Sequence, residues 1–513
     1  MVKNGKLELT LLLILVINLT KFKKMKTYSI LKSKKSVFVL MSALLILGCQ
    51  NDDADLRTAK ASNTAEIFTD SPVGMGTNFY FPYGPGPDNP AGSKLNAWTV
   101  DQKVSYKGTA SMRFDVPNSN DVEGNYAGGI FKIDGAGRDL TQYDALTFWA
   151  KASQGVTIAE FGFGEDFFPN KYITTVRNMT LGTTWTKYII PIPDASKLML
   201  EKGMFRYAAN TVGTNGNGYT FWIDELKFEK LGTIGQPRPS IANGIDKTVD
   251  SFTGVTIKIS DLKESFNLPT GFNLSVSPSA GYFVFSSSNP NVATVDANGQ
   301  IKIIGAGTTV IKGNIGGTLD TVTNKFIGGV DSIDSITINS LGNFSLAPTP
   351  TKDPSKVLSV FSDAYKNVPV TYYNGFWTPG STTGSADFDV NGDNILNYIN
   401  FNYVGTALSN PTLNASAMTR VHFNMYVPNS IPSNFDFLIS IEDWGADRVD
   451  GGTDDTRQQI FVRKSQIVAN QWITVDVPLT LANKNNIGLI IYENINGSSL
   501  KNFYIDNVYF YKE

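Results

Sequence analysis

A single cysteine and a single histidine serve the whole chain of 513 residues. With Cys49 alone, no intramolecular disulfide framework can form. A lone histidine, His422, argues against zinc hydrolases, Ser-His-Asp triads and most histidine-based general-base schemes. The patterns G-x-S-x-G, Walker A and G-x-G-x-x-G are also missing. Neither sign of charge predominates: the formal net charge is −2, and lysine and arginine are scattered rather than gathered. The electrostatic footprint of a nucleic-acid binder is therefore absent. No apolar run reaches the roughly 20 residues that span a bilayer, and no helical period is sustained beyond the N-terminal segment.

What is present is a β-rich composition. Forty-six glycines and 12% aromatic residues, with many Thr, Asn and Ser, describe short strands joined by turns. At the N-terminus, apolar stretches over 7–19 and 37–48 flank a basic run over 21–35. The second stretch ends in "LLILGC", which resembles a lipobox, the signal in which a small residue precedes an acylated cysteine. Met25 suits the start of such a signal better than Met1. Residues 1–48 are therefore read as an over-long start plus a removed signal peptide, with lipid attached at Cys49 and 49–61 as an acidic tether. The cluster "CQNDDAD" resembles export signals that place lipoproteins on the outer face of the outer membrane.

Two long segments repeat one another. "IFTDSPVGMG", "LTFWAK", "WTKYIIPIP" and "FWIDELKFEK" occur in the same order as "VFSDAYKNVP", "VHFNMY", "WITVDVPLT" and "FYIDNVYFYK". Asp70, Trp185 and Asp224 thus align with Asp363, Trp472 and Asp506. The expected fold class is all-β: β-sandwiches over 62–232 and 355–513 enclose a smaller module over 240–331. Segments such as "GTIGQPRPS" and "SLAPTPTKDPS" read as semi-rigid spacers.

The middle stretch "SNPNVATVDANGQIKIIGAGTTVIKG" resembles the bacterial immunoglobulin-like repeat. "YDALTFWAKAS", "TTWTKYIIPIPDASKL" and "YTFWIDELKFE" resemble jelly-roll carbohydrate-binding modules. The C-terminal copy, through "ISIEDWGADRVDGGTDD", is similar to modules appended to laminarin-cleaving β-glucanases. The whole order resembles surface glycan-binding lipoproteins of starch-utilisation-type systems. That resemblance implies a polysaccharide partner, an outer-membrane lipid anchor, and a glycan transporter complex with glycoside hydrolases as neighbours.

Sugars offer C–H faces that stack on aromatic rings and hydroxyls that pair with planar polar groups. Aromatic residues in polar loops are therefore the candidate contacts: Tyr80, Tyr83, Trp98 and Phe168 in the first sandwich, and Tyr373, Trp377 and Trp444 in the second, with Asp443, Asp447 and Arg448 beside them. Trp185 and Trp472 read as scaffold, Trp149 as facing off the core, and His422 as an ordinary surface residue. Asp224 and Asp506 share strand phase with apolar residues, and a carboxylate on that side needs compensation. The jelly-roll resemblance implies a structural Ca²⁺ there, with Asp70 and Asp363 contributing oxygens. The alternative is that these aspartates only accept hydrogen bonds from loop amides. The favoured function is non-catalytic capture of a laminarin-type β-1,3-glucan at the cell surface. The alternatives are a β-sandwich glycoside hydrolase, whose E-x-D-x-x-E signature is missing here, and a structural adhesin or spacer.

Overall fold

The computed structural model describes residues 60–513 apart from 87–90, 168–169, 376, 378, 386–387, 429–430 and 501. Cys49, the signal segment and Phe168 lie outside the described residues. Within them the chain is almost all strand, and its helical segments are three-residue 3-10 turns such as Ala195–Lys197. Among the described residues no helix is long and apolar enough to cross a membrane.

Alternation builds the strands. In Ala145–Ala152 ("ALTFWAKA"), Leu146, Phe148 and Ala150 are fully buried while Trp149 and Lys151 point the other way. Ser111–Val116 does the same with Met112, Phe114 and Val116. Period-two patterning of this kind leaves one face of a sheet for the core. The first sandwich closes two such sheets on a ring-rich centre. Phe114 stacks on Phe221 at 4.6 Å and meets Tyr207 edge-on at 4.6 Å. Each large ring buried there contributes roughly 2–3 kcal/mol by area alone.

The repeat read in the sequence is a repeat of topology. In the first sandwich one sheet runs Trp98–Asp101, Ser111–Val116, Tyr219–Glu229, Ala145–Ala152, Thr186–Pro191. Its counterpart in the C-terminal sandwich runs Gly384–Ser385, Asp393–Ile399, Asn502–Tyr511, Arg420–Tyr426, Trp472–Pro478. In both, the opening strand (Glu66–Phe68 or Val357–Phe361) pairs with the last long strand. The opposing sheets also agree in order. Tyr80–Pro82, Ala127–Lys132, Gly203–Ala209, Val156–Phe163 and Thr174–Leu181 correspond to Tyr372–Gly375, Tyr403–Ala407, Ile487–Asn494, Asp436–Asp443 and Thr456–Arg463.

The spacers differ from expectation. Gly235–Ser240, within "GTIGQPRPS", is a strand that pairs antiparallel with Lys263–Asn267. It is the last strand of its sheet, a position where a proline without an N–H costs no ladder bond. That sheet continues through Asn273–Pro278, which joins Thr174–Leu181 by the pairs Ser277 with Thr175 and Pro278 with Thr174. Eight strands thus run from the first sandwich into the middle module. On the other side, Phe344 sits among Phe252, Tyr426 and Tyr504 at 4.6, 4.9 and 5.5 Å. The rings hold the second linker against both neighbours.

Arg138 fastens the N-terminal strand. It is 1% exposed, and its guanidinium donates to the carbonyls of Thr64, Glu66 and Val73 at 3.2, 2.7 and 2.6 Å. Arg138→Met is expected to cost at least about 3 kcal/mol in urea unfolding, because it strands three inward-facing acceptors. An unchanged midpoint would show that this anchor is dispensable.

Candidate functional site

The five-stranded half of the long sheet buries Phe131, Phe161, Phe205 and Tyr207 on one side. Register places Arg206 opposite Ile130 and Gly162, and Ala208 opposite Gly128 and Glu160, on the other side. That outer face is ordered by charge. Arg206 reaches Glu165 at 2.6 Å, Glu160 at 2.9 Å and Thr175 Oγ1 at 2.6 Å. Glu160 is also paired with Arg177 at 2.7 Å. Tyr83 donates its hydroxyl to Glu165 at 2.8 Å. Gly128 forms the floor, since a Cβ there would fall 2.9 Å from Tyr126 Cε2 and 3.0 Å from Tyr83 Cδ2. At the rim Phe81 and Phe167 meet edge to face at 5.5 Å, with Lys132 Nζ 4.9 Å from the Phe81 ring. Rings beside paired guanidinium and carboxylate groups supply both elements of sugar recognition.

The C-terminal sandwich presents the corresponding face. Gly405, Ile491, Ser440 and Gln459 form one row across it, and Ser440 Oγ donates to Glu493 at 3.2 Å. The Trp377 ring lies on Gly405, where a Cβ would fall 2.2 Å from Cη2. It is near parallel to Tyr403, at 6.0 Å and 19°, and remains 36% exposed. In both copies a strand glycine lets an aromatic side chain lie against the sheet. Gly405→Ala is expected to displace Trp377 and to lower glycan affinity of this face without unfolding the sandwich. Titration beside a thermal melt measures both, and unaltered affinity would place recognition elsewhere.

Several residues expected in loops serve the scaffold. Trp98 opens the strand Trp98–Asp101, and its ring packs among Phe79, Tyr80 and Phe131 at 5.3–5.4 Å. Tyr80 points inward and shares a hydrogen bond with Tyr207 at 2.9 Å. Tyr373 donates to the Val360 carbonyl at 2.9 Å and packs on Phe361. Trp444 lies against the Gly488 backbone. Buried Asp443 accepts from the amides of Gly445 and Asn486. Arg448 is exposed with φ +62°. The sequence signal passed over was the alternation in "MFRYAA" and "NYVGTA", which sets Arg206 and Gly405 on the sheet face rather than in a loop.

Trp149 does face off the core, stacked on Tyr106 at 3.9 Å. Trp185 joins it there, 6.0 Å from Tyr106, while Trp472 packs against Phe344 and Tyr426. His422 is not an ordinary surface residue: its side chain is 12% exposed, stacked on Tyr509 at 4.5 Å and 3.1 Å from Asp476.

The aspartate phase also needs correction. A bulge follows each aspartate, at Glu225 (φ +49°) and Asn507 (φ +52°). The extra residue flips the alternation, so Asp224 pairs with Trp149 and Asp506 with Asn424, off the apolar side. Both carboxylates are nevertheless buried. Asp224 accepts the amides of Tyr106, Lys107 and Glu225, and Asp70 those of Thr109 and Ala110. This pair is occupied by loop amides. In the C-terminal copy, Asp363, Asp393 and Asp506 line one cavity of about 230 Å³, and Asp393 Oδ2 is buried without a hydrogen-bond partner. Burial, then the like charges of Asp393 and Asp363, pushes the Asp506 carboxyl up to about 7. Here too amides occupy part of the set, since Asp363 accepts from the backbone and side-chain N–H groups of Asn394 and Asp506 from the Asn507 amide, which leaves the Asp393 oxygen free. The carboxylate oxygens gathered within 4.8 Å of one another are instead those of Asp447, Asp454 and Asp455, among the described residues. There Asp454 and Asp455 close the loop through the amides of Ala446, Gly451 and Gly452.

Residues 65–230 match the family model of carbohydrate binding domain 30. Over that stretch the first sandwich is similar to carbohydrate-binding modules. Residues 274–316, inside the middle module, match the immunoglobulin-like domain of intimin. A family 30 carbohydrate-binding module of solved structure is 19% identical over 32% of this chain and 86% of its own, with a TM-score of 0.24. A family 11 module from Clostridium thermocellum, in complex with a β-1,3-1,4-mixed-linked tetrasaccharide, is 16% identical over 31% of this chain and 96% of its own, with a TM-score of 0.22. The tandem CBM22-1–CBM22-2 domain of Paenibacillus barcinonensis Xyn10C is 8% identical over 89% of this chain and 99% of its own, with a TM-score of 0.22. No curated protein matches the chain significantly.

Proposed function

We propose that this protein is a non-catalytic polysaccharide binder whose two sandwiches hold one β-1,3-glucan chain of the laminarin type. Lipid on Cys49 anchors it in the outer membrane, facing outward. There it retains glycan for glycoside hydrolases and a transporter. One observation carries this reading: Trp377 on Gly405 in one copy answers Tyr83 and Tyr126 on Gly128 in the other. A ring held flat on a sheet, beside polar groups fixed by one another, is suited to the face of a pyranose and its hydroxyls. Against hydrolysis stands the pairing of Glu160 and Glu165 with the same arginine, whereas a glycosidase needs one of two carboxylates as a proton donor. Calcium held by Asp363, Asp393 and Asp506 would pin the opening strand of the C-terminal sandwich to its last.

Native gels cast with laminarin test the reading, alongside an assay for new reducing ends. Retardation with no release of reducing ends is expected. New reducing ends would make the protein an enzyme, and mobility unchanged by every glucan tried would favour a spacer. Separately, Cys49→Ser is expected to move the protein from the membrane to the soluble fraction.

A further inference from the structure

The first binding face does not end at the edge of its sandwich. Where Thr174–Leu181 meets Asn273–Pro278, a cavity of about 850 Å³ opens between the first sandwich and the middle module. Arg177, tied to the face through Glu160, lines it. So do Lys171 from the first sandwich and Lys258 and Lys263 from the middle module. Among the described residues Asp261 is the one carboxylate in the lining, facing Lys171, Lys258 and Lys263, while Glu160 pairs with Arg177 from the sheet side, in a chain whose net charge is −2. Three asparagines and three serines complete the polar lining, and no aromatic ring takes part among the described residues.

That composition is unlike either sheet face. A ring suits the C–H side of a neutral sugar. A ringless cleft of cations and amides suits an anion flanked by hydroxyls. Three lysines against a single aspartate leave an excess of positive charge in the cavity, and an anionic occupant relieves their mutual repulsion. We infer that the cleft binds an acidic group, a uronate carboxylate or a sulfate ester, on the glycan whose neighbouring units lie on the first face. The inference rests on the glycan-binding reading above and adds to it a preference for chains that carry acidic groups.

The test uses the intact protein and three polymers: laminarin, carboxymethylated laminarin and sulfated laminarin. Binding is measured by calorimetry at low and high salt, for the wild type and for Lys171→Gln/Lys258→Gln. An acidic polymer is expected to bind about tenfold tighter than its parent at low ionic strength. The gain fades at about 0.5 M salt and disappears in the double variant, while affinity for the parent polymer is unchanged. A gain confined to one derivative names the acid. Equal affinity for all three polymers, or a gain that survives in the double variant, overturns the acidic cleft and leaves glycan binding standing. Failure of all three to bind removes the glycan-binding reading, and the cleft with it.

Discussion

Trp377→Ala is expected to weaken glucan binding at the C-terminal face by about 30-fold or more, the loss typical of a central tryptophan worth about 2 kcal/mol. The ring sits outside the core, over a glycine, and its backbone carbonyl still accepts the Tyr403 hydroxyl. Removing it therefore opens no interior cavity, and the change in stability should stay within about 0.5 kcal/mol. Trp98→Ala makes the contrast. Its ring fills space among Phe79, Tyr80 and Phe131, so the expected loss is about 3 kcal/mol of stability, with the C-terminal face unaffected. Calorimetry with laminarin beside urea unfolding separates the two. If the Trp377 variant loses stability and keeps affinity, the roles are reversed.

Chelation is expected to make the C-terminal sandwich sensitive to pH in an unusual direction. The folded carboxyl of Asp506 sits at about 7 against an ordinary value of 3.8, so the fold holds a proton that the unfolded chain releases. Stability from this group is complete below about pH 4 and is lost as pH rises to about 7, a swing on the order of 4 kcal/mol. With EDTA, the melting temperature should fall between pH 5 and pH 8. Calcium, bound only to the folded state, should restore it at pH 8. Asp506→Asn should abolish both responses. A melting curve blind to calcium at pH 8 would remove the metal and leave the raised carboxyl as a buried proton site.

The architecture was largely legible in the sequence, because period-two patterning and a repeated order of motifs depend on short-range rules. Both copies of the sandwich follow from strings such as "ALTFWAKA" and "RVHFNMY". The site was less legible. Aromatic residues in glycine- and proline-rich stretches were read as loop contacts, yet Trp98 and Tyr373 are drawn inward by neighbouring rings that no local string reveals. Arg206 went unremarked although Phe205 and Tyr207 on either side fix its direction outward. The phase of Asp224 failed for one local reason, since the bulge at Glu225 inserts a residue into the count. "GTIGQPRPS" misled because proline is tolerated on an edge strand as readily as in a linker.

The central claim is that two equivalent faces bind one glucan. Titration of the intact protein with long laminarin, for the wild type, Trp377→Ala and Tyr83→Ala/Tyr126→Ala, tests it most directly. The account predicts that each variant removes one binding event and the avidity of the pair, and that the three substitutions combined in one chain abolish binding. Full affinity retained in the combined variant would contradict it.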